Sequence, residues 1–595
     1  MARAPRTTTR PAAGGPPPAV SRVEPAARAL TIALAVFVAL RAAVAMVPGR
    51  AFWGHDLARD LSPASLASGT IATVAAFGFG AAWARRAPRG AGALAILGAL
   101  ALVAFLWMHP DRALVTGDTS LRHSAFATTD HPERFAEQAM RGDLVLHHTL
   151  PRAVAQATGL GIETVYRLQG ALAVVLAMLA SWALARAFAV RGAAAVAVLA
   201  LPIATGALAL LNGYGKATVE VCVLTLAVGV GLARVLAGAG AAAGGALLAG
   251  LAVAIALLLH RSAIALLPAW AIGTVLAWRV RATWTNRQRM WATLGTVAPV
   301  LALAVVGPRL AQVVTGFDAS HHLGGDARAA LAGALSGART ADALNALGLL
   351  FPAAPLLLVA LALAPRPSGR AALAWGAFAL PPLALLWLTV PQHGLPRDWD
   401  VYAFAGVALS VVTAAAVARV FAHHPRATSA ALPLAVVALV PALQWAALQA
   451  DAERAWTRTE SVLVGPPERA AFERARGFDT IGMLCMGRGL HERAQRMFER
   501  AAEAAPNPST FVRIGMTETL LGRPTEAMTH YRRAATLDPR LPTAWRGLAA
   551  AASATGDRAT MVEAVTRLAD LVPDDPTIAD ARAWLAADSV RRASR

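Results

Sequence analysis

Four short polar stretches carry side chains able to do chemistry in a chain that is otherwise mostly apolar. "TGDTSLRHS" (116–124) presents Asp118 directly after a glycine. "NGYGKATVE" (212–220) presents Tyr214, Lys216 and Glu220; "HRS" (260–262) presents His260 and Arg261. "PQHGLPRDWD" (391–400) presents Arg397, Asp398, Trp399 and Asp400. A carboxylate held beside apolar walls suits a general base, because desolvation raises its pKa. Asp118 fits that role, with a turn or helix cap as the plainer reading. Lys216 is either a phosphate ligand or, four residues before Glu220, the partner of that acid on one helix face. His260 and Arg261 are ligand contacts or interfacial side chains reaching towards water. Arg397 offers a fork of donors matched to a phosphate, and Trp399 suits a membrane interface or stacking on a sugar. Asp398 and Asp400 would orient Arg397 or bind a polar substrate, unless they only cap the helix that follows. A fifth stretch, "GFDASHHLGGD" (316–326), holds Asp318, His321, His322 and Asp326. These are donors a divalent metal accepts, but they lack a tight metal-ligand spacing.

The elements that must position these groups are membrane helices. The chain has 595 residues, 56% of them hydrophobic and 15% charged, against about 25% charged in soluble domains. The apolar residues fall into about thirteen runs of roughly 18–22 residues, each long enough to cross the hydrocarbon layer. The expected fold class is therefore all-α, with a polytopic bundle over residues 27–450. Residues 1–26, rich in Pro, Ala and Arg, form a cytoplasmic arm expected to be disordered. The net charge of +20 does not indicate a nucleic-acid partner, because the arginines concentrate in alternate short connections such as "ARRAPRG" and "WRVRATWTNRQR". This is the positive-inside pattern. It places the N-terminus in the cytoplasm and everything after Ala450 outside. The alternate connections hold the acids, most histidines and Lys216, the sole lysine among 55 basic residues. All five polar stretches then share the outer face, as does the long loop 109–169. Two cysteines, Cys222 and Cys485, imply no disulfide framework.

From residue 451 the chain becomes an extracytoplasmic soluble domain with an internal period of about 34 residues. Repeats at about 475–506, 508–539 and 542–573 align Phe478, Phe511 and Trp545, then Gly489, Gly522 and Gly556. Their second helices align Ala494 with Ala527 and Phe498 with Tyr531, and the units close on Pro506, Pro539 and Pro573. This is the tetratricopeptide pattern, and it predicts an α-α solenoid closed by a capping helix over 576–590. The third unit departs from it, with Met561 where a small residue is expected. Such a stack binds a peptide or protein partner, or serves as a spacer.

Together these features resemble the GT-C class of membrane glycosyltransferases. The shared features are ten or more spans, a long outer loop opening with an acid, and an outer C-terminal domain. Spans followed by tetratricopeptide repeats are similar to the transmembrane-and-tetratricopeptide O-mannosyltransferases. "GDTSL", "YRLQGAL", "NGYGKATVE", "HRSAIALLP" and "RDWDVYAFAG" also resemble segments of a bacterial group of membrane proteins with tetratricopeptide tails. The resemblance implies a bacterial inner-membrane enzyme that uses a polyprenyl-phosphate sugar as donor. It implies Asp118 as catalytic base, and Lys216, Arg261 or Arg397 at the departing phosphate. Two departures stand out: Asp118 is followed by Thr119 rather than a second acid, and its loop follows the third span rather than the first. The competing classes are a non-catalytic membrane-anchored scaffold for envelope assembly and a transporter or flippase. Polar residues gathered at one face, with few acids in mid-span, speak against the transporter.

Overall fold

The computed structural model describes residues 25–87, 90–123, 129–130, 139–315, 333–334, 336–389, 391 and 393–594. The metal candidates Asp318, His321, His322 and Asp326, and nearly all of the N-terminal arm, lie outside the described residues. Every regular element among the described residues is helical. That is what hydrocarbon demands of a backbone with no water to bond to. Among the described residues, eleven helices are long and apolar enough to cross a membrane. A twelfth arises if Gly337–Leu350 and Pro355–Leu363, which meet at a 76° bend, count as one span. Pro352 falls in that break, where it cannot donate to the preceding turn. The chain is a multi-pass membrane protein by this measure.

The expected run starting at Ala193 is not a continuous helix. It forms Ala193–Ala200 and Ala207–Leu210, separated by turns around Pro202. The open backbone of this break is buried, and the N–H of Gly206 donates to the carbonyl of Leu350 at 2.9 Å. Non-helical backbone deep in a bundle is tolerated where protein satisfies it in this way. The segment still returns the chain from one end of the bundle to the other. Ala193–Ala200 packs on the Pro425–Ala430 turn at one end, and the Asn212 amide donates to the carbonyl of His109 at the other.

Burial ranks the helices. Leu395–His423 is central, with 89% of its most apolar window buried, against 17% for Pro25–Met46, Pro63–Arg86 and Ala91–Met108. Glycines bring the inner helices close, as is usual where lipid supplies no hydrophobic drive between helices. A Cβ on Gly250 would collide with the backbone of Gly295, and one on Gly231 with that of Gly245.

Beyond Ala450 the helices shorten and become amphipathic. Asp451 caps Ala452–Val464 by accepting from the N–H of Arg454. Three antiparallel pairs follow: Ala471–Met486 with His491–Ala504, Pro508–Leu520 with Pro524–Leu537, and Pro542–Thr555 with Arg558–Leu571. The last helix is Pro576–Ala593. Gly489, Gly522 and Gly556 make the turn within each pair at φ of +73°, +74° and +77°, where a side chain would be strained. Phe498 packs against Gly482, and Tyr531 against Gly515 and Gly547, where a Cβ would collide with the rings. Met561 is buried at the position of Ala494 and Ala527.

The base of this tail is fixed to the bundle. Arg50 and Arg458 share Asp56 at 3.0 Å each, and both also bond Asp60. Trp456 Nε1 donates to the carbonyl of Ala113 at 2.9 Å, and Arg469 pairs with Asp342.

Candidate functional site

Residues 109–123 and 139–149, the Asn212–Ala217 turn and the Gly394–Asp400 turn meet at one end of the bundle. Their junction is Gly117. Its N–H donates to the carbonyl of Arg397 at 2.8 Å. Arg397 returns two bonds from Nε and Nη2 to the carbonyl of Gly117, at 3.2 and 3.1 Å. Gly117 sits at φ +48°, and a Cβ there would collide with Tyr214 Oη and Asp400 Oδ1. Only glycine lets the three strands of the junction approach so closely.

Behind this junction Lys216 bridges two carboxylates. Its Nζ donates to Asp118 Oδ2 at 3.1 Å and to Asp400 Oδ2 at 3.0 Å. Tyr214 Oη donates to the same Asp400 oxygen at 2.8 Å. Asp400 is 1% exposed and its Oδ1 has no hydrogen-bond partner among the described residues, whereas the Asp118 side chain is 36% exposed. The Lys216 charge, opposed by burial and helped by Arg122, holds the Asp118 carboxyl well below the usual carboxylate range. Burial works against the Lys216 ammonium, but Asp118 and Asp400 outweigh it and raise its pKa above the ordinary lysine value. Burial, then Asp400, raises Tyr214, so it is a neutral donor.

A second network lies alongside. Asp143, 1% exposed, accepts from Arg122 Nη2 at 2.8 Å, from His147 Nδ1 at 2.9 Å and from the N–H of Ala217 at 3.1 Å. His147 Nε2 lies 3.4 Å from Glu220 Oε2, and Tyr166 Oη donates to the His147 carbonyl at 2.6 Å. Burial opposes the His147 charge, but Glu220 and Asp143 overcome it and push its pKa up to about 9. Burial costs Asp143 less than Arg122 and His147 return, and its carboxyl lies below the usual range.

The structure brings Asp118, Tyr214, Lys216, Arg397 and Asp400 into one cluster, with Glu220 reached through His147. Several expectations change. The helix begins at Thr218, so Lys216 stands outside it and does not pair with Glu220; its partners are Asp118 and Asp400. Asp398 accepts from the N–H of His393 at 3.1 Å and faces its ring at 3.3 Å, closing its own turn rather than orienting Arg397. Trp399 is 1% exposed and packs edge-on against Trp445 at 6.0 Å, so its ring is not at a lipid interface. His260 accepts from the N–H of Ser262 at 3.2 Å as a helix cap. Burial, then Lys216 and Arg261, drives it down to about 3, so it is neutral. Arg261 is half-buried beside it.

Sequence reading passed over Arg122, Asp143 and His147. The signal was present as spacing: Arg122 is four residues after Asp118, and His147 is four after Asp143. It also passed over Glu473, whose side chain occupies the space where a Cβ on Gly394 would stand, pressing the tail onto this turn. Gly394 has φ +79° and cannot be replaced without strain. No protein-family model matches the chain, and a comparison with curated proteins finds no match.

Proposed function

We propose that this chain is a membrane glycosyltransferase of the GT-C kind, taking a sugar from a polyprenyl-phosphate donor to a hydroxyl-bearing acceptor on the outer face. The observation that supports it most is the half-open carboxylate pair: Asp118 reaches solvent while Lys216, which is itself bound to buried Asp400, holds it from behind. In this reading the donor headgroup enters from the bilayer beside Arg397 and Arg261. Asp118 orients the acceptor hydroxyl. As that oxygen bonds to the anomeric carbon, the carbon–oxygen bond to phosphate breaks with inversion. The proton passes to Asp118, and the polyprenyl phosphate leaves with its electron pair beside the guanidinium groups. A carboxylate of low basicity is a weak base before the transfer begins, so its work falls late, as the hydroxyl acidifies. Lys216 is already shared by two acids, so the phosphate falls to the arginines. The C-terminal stack, read as a tetratricopeptide solenoid, holds the acceptor or a protein partner.

With about thirteen crossings, counting the broken 193–217 return as one, the positive-inside pattern keeps this cluster and the tail outside a bacterial inner membrane. The alternative is a non-catalytic scaffold. It is favoured by the same Lys216, which can be read as a pin between two acids, one of them buried. The test is to incubate the purified chain, in nanodiscs with a membrane extract as acceptor source, with polyprenyl-phosphate hexoses. Release of polyprenyl phosphate should fall by at least about a hundredfold in Asp118→Asn at unchanged thermal stability. No release by the wild-type chain would leave the scaffold.

A further inference from the structure

Asp143 has no role in the reading above, yet it touches both halves of the carboxylate cluster. One of its oxygens accepts from the N–H of Ala217, the residue that follows Lys216. The other accepts from Arg122, four residues beyond Asp118, whose own N–H donates to the carbonyl of Asp118 at 2.8 Å. The Asp118 and Lys216 segments are 98 residues apart in sequence, and one buried carboxylate spans them. His147 Nδ1 braces the same oxygen that faces Ala217, at 2.9 Å, and His147 is itself held by Tyr166 through its carbonyl and by Glu220 through its ring. The groups that act on Lys216 are Asp118 and Asp400 by direct bonds, with Arg122 adding its field. Asp143 meets Lys216 only through the backbone.

We propose that Asp143 is a positioning residue: it holds Lys216 between Asp118 and Asp400, with His147 as its brace. This deepens the glycosyltransferase reading and rests on it for its functional meaning, but its geometry can be tested with no donor present. A carboxylate acting by charge alone would serve wherever it stood nearby. One acting by position must keep its oxygen on the Ala217 N–H. Two substitutions separate these. Asp143→Asn removes the charge and gives up the Arg122 bond, because its NH2 has no acceptor there, but keeps an oxygen on the Ala217 N–H. Asp143→Glu keeps the charge and displaces the oxygen by one methylene.

Lys216 is the only lysine, so lysine labelled with 15N at Nζ gives a single side-chain signal. With aspartate labelled at 13Cγ, solid-state dipolar recoupling reads how many carboxyl carbons lie beside it. The wild-type chain in liposomes should show two. Asp143→Asn should keep both, and Asp143→Glu should lose about half of the dephasing. If Asp143→Glu does not reach the wild-type fold by thermal melting, Asp143→Ser, which also gives up the Ala217 contact, carries the same expectation. Retention of both couplings in the displaced variants, or equal loss in Asp143→Asn, would overturn the proposal. Neither result depends on sugar transfer. A chain that transfers no sugar can still show the expected couplings, and an active chain can fail to show them.

Discussion

Two buried ion networks lie at the same end of this molecule and differ in one respect. The Arg50–Asp56–Asp60–Arg458 cluster is closed: two guanidinium groups face two carboxylates, and Ser461 and the Trp53 carbonyl take further donors. The Asp118–Lys216–Asp400 cluster is open: one ammonium faces two carboxylates, Asp400 Oδ1 has no partner among the described residues, and Asp118 reaches solvent. A closed network joins parts, here the 50–60 loop of the bundle to the first helix of the tail. An open one retains charge and hydrogen-bonding capacity for something else. Burying ions is unfavourable unless their geometry is complete, so an incomplete network in a well-packed place points to use rather than to support.

The contrast is sharpest on removing one cation from each. Arg458→Ala leaves Asp56 and Asp60 to Arg50 alone and strips the guanidinium that lies over the Trp445 ring at 5.8 Å. Breaking a buried pair this way costs roughly 3–5 kcal/mol, and thermal melting in detergent should show the tail and bundle losing stability together. Lys216→Met leaves Asp400 with Tyr214 as its only donor, and it should cost about 3 kcal/mol. Adding Asp400→Asn should recover most of this loss, because the open cluster carries surplus negative charge. If the double variant is no more stable than Lys216→Met, the two networks do not differ as described.

An effect of similar size, spread over pH, follows from His147. His147 has a raised folded pKa of about 9 against about 6.5 unfolded. Its contribution is therefore complete below about pH 6.5 and disappears as pH rises through about 9, up to about 3 kcal/mol in all. The melting temperature should fall across that window, and His147→Gln should flatten the slope. Smallest of all is Asp118→Asn. A partly exposed ion pair is worth under about 1 kcal/mol, so its melting temperature should barely move while sugar transfer is lost. A large loss of stability there would make Asp118 a structural acid and close the open network.

Much of this was legible in the residues. Apolar run length gives the membrane helices, and the recurrence of Gly489, Gly522 and Gly556 marks the turns of the tail. Single-residue motifs at loop ends also led to Asp118, Lys216, Arg397 and Asp400. What stayed hidden depends on long-range pairing. Lys216 looks toward Glu220 along the sequence, but the helix starts two residues too late and its partners come from 98 and 184 positions away. Trp399 reads as an interfacial ring because tryptophan favours interfaces; in the fold it is buried, edge-on against Trp445. The run at Ala193 looks like one continuous helix because composition does not register that turns around Pro202 interrupt it, nor that Leu350 satisfies Gly206. Asp143 looks like one acid among several in a long loop, since nothing local shows that its partners include the Ala217 N–H.

The central claim is that the open carboxylate cluster is where a lipid-linked sugar acts. It is tested most directly on the single 15Nζ signal of Lys216, in nanodiscs, as polyprenyl-phosphate hexose is added. If Asp118 receives the reacting groups, the signal should move in a saturable way with the sugar phosphate and stay still with the free polyprenol. Binding of the same lipid, shown by co-purification, with a Lys216 signal that does not move would place the ligand elsewhere and contradict the account.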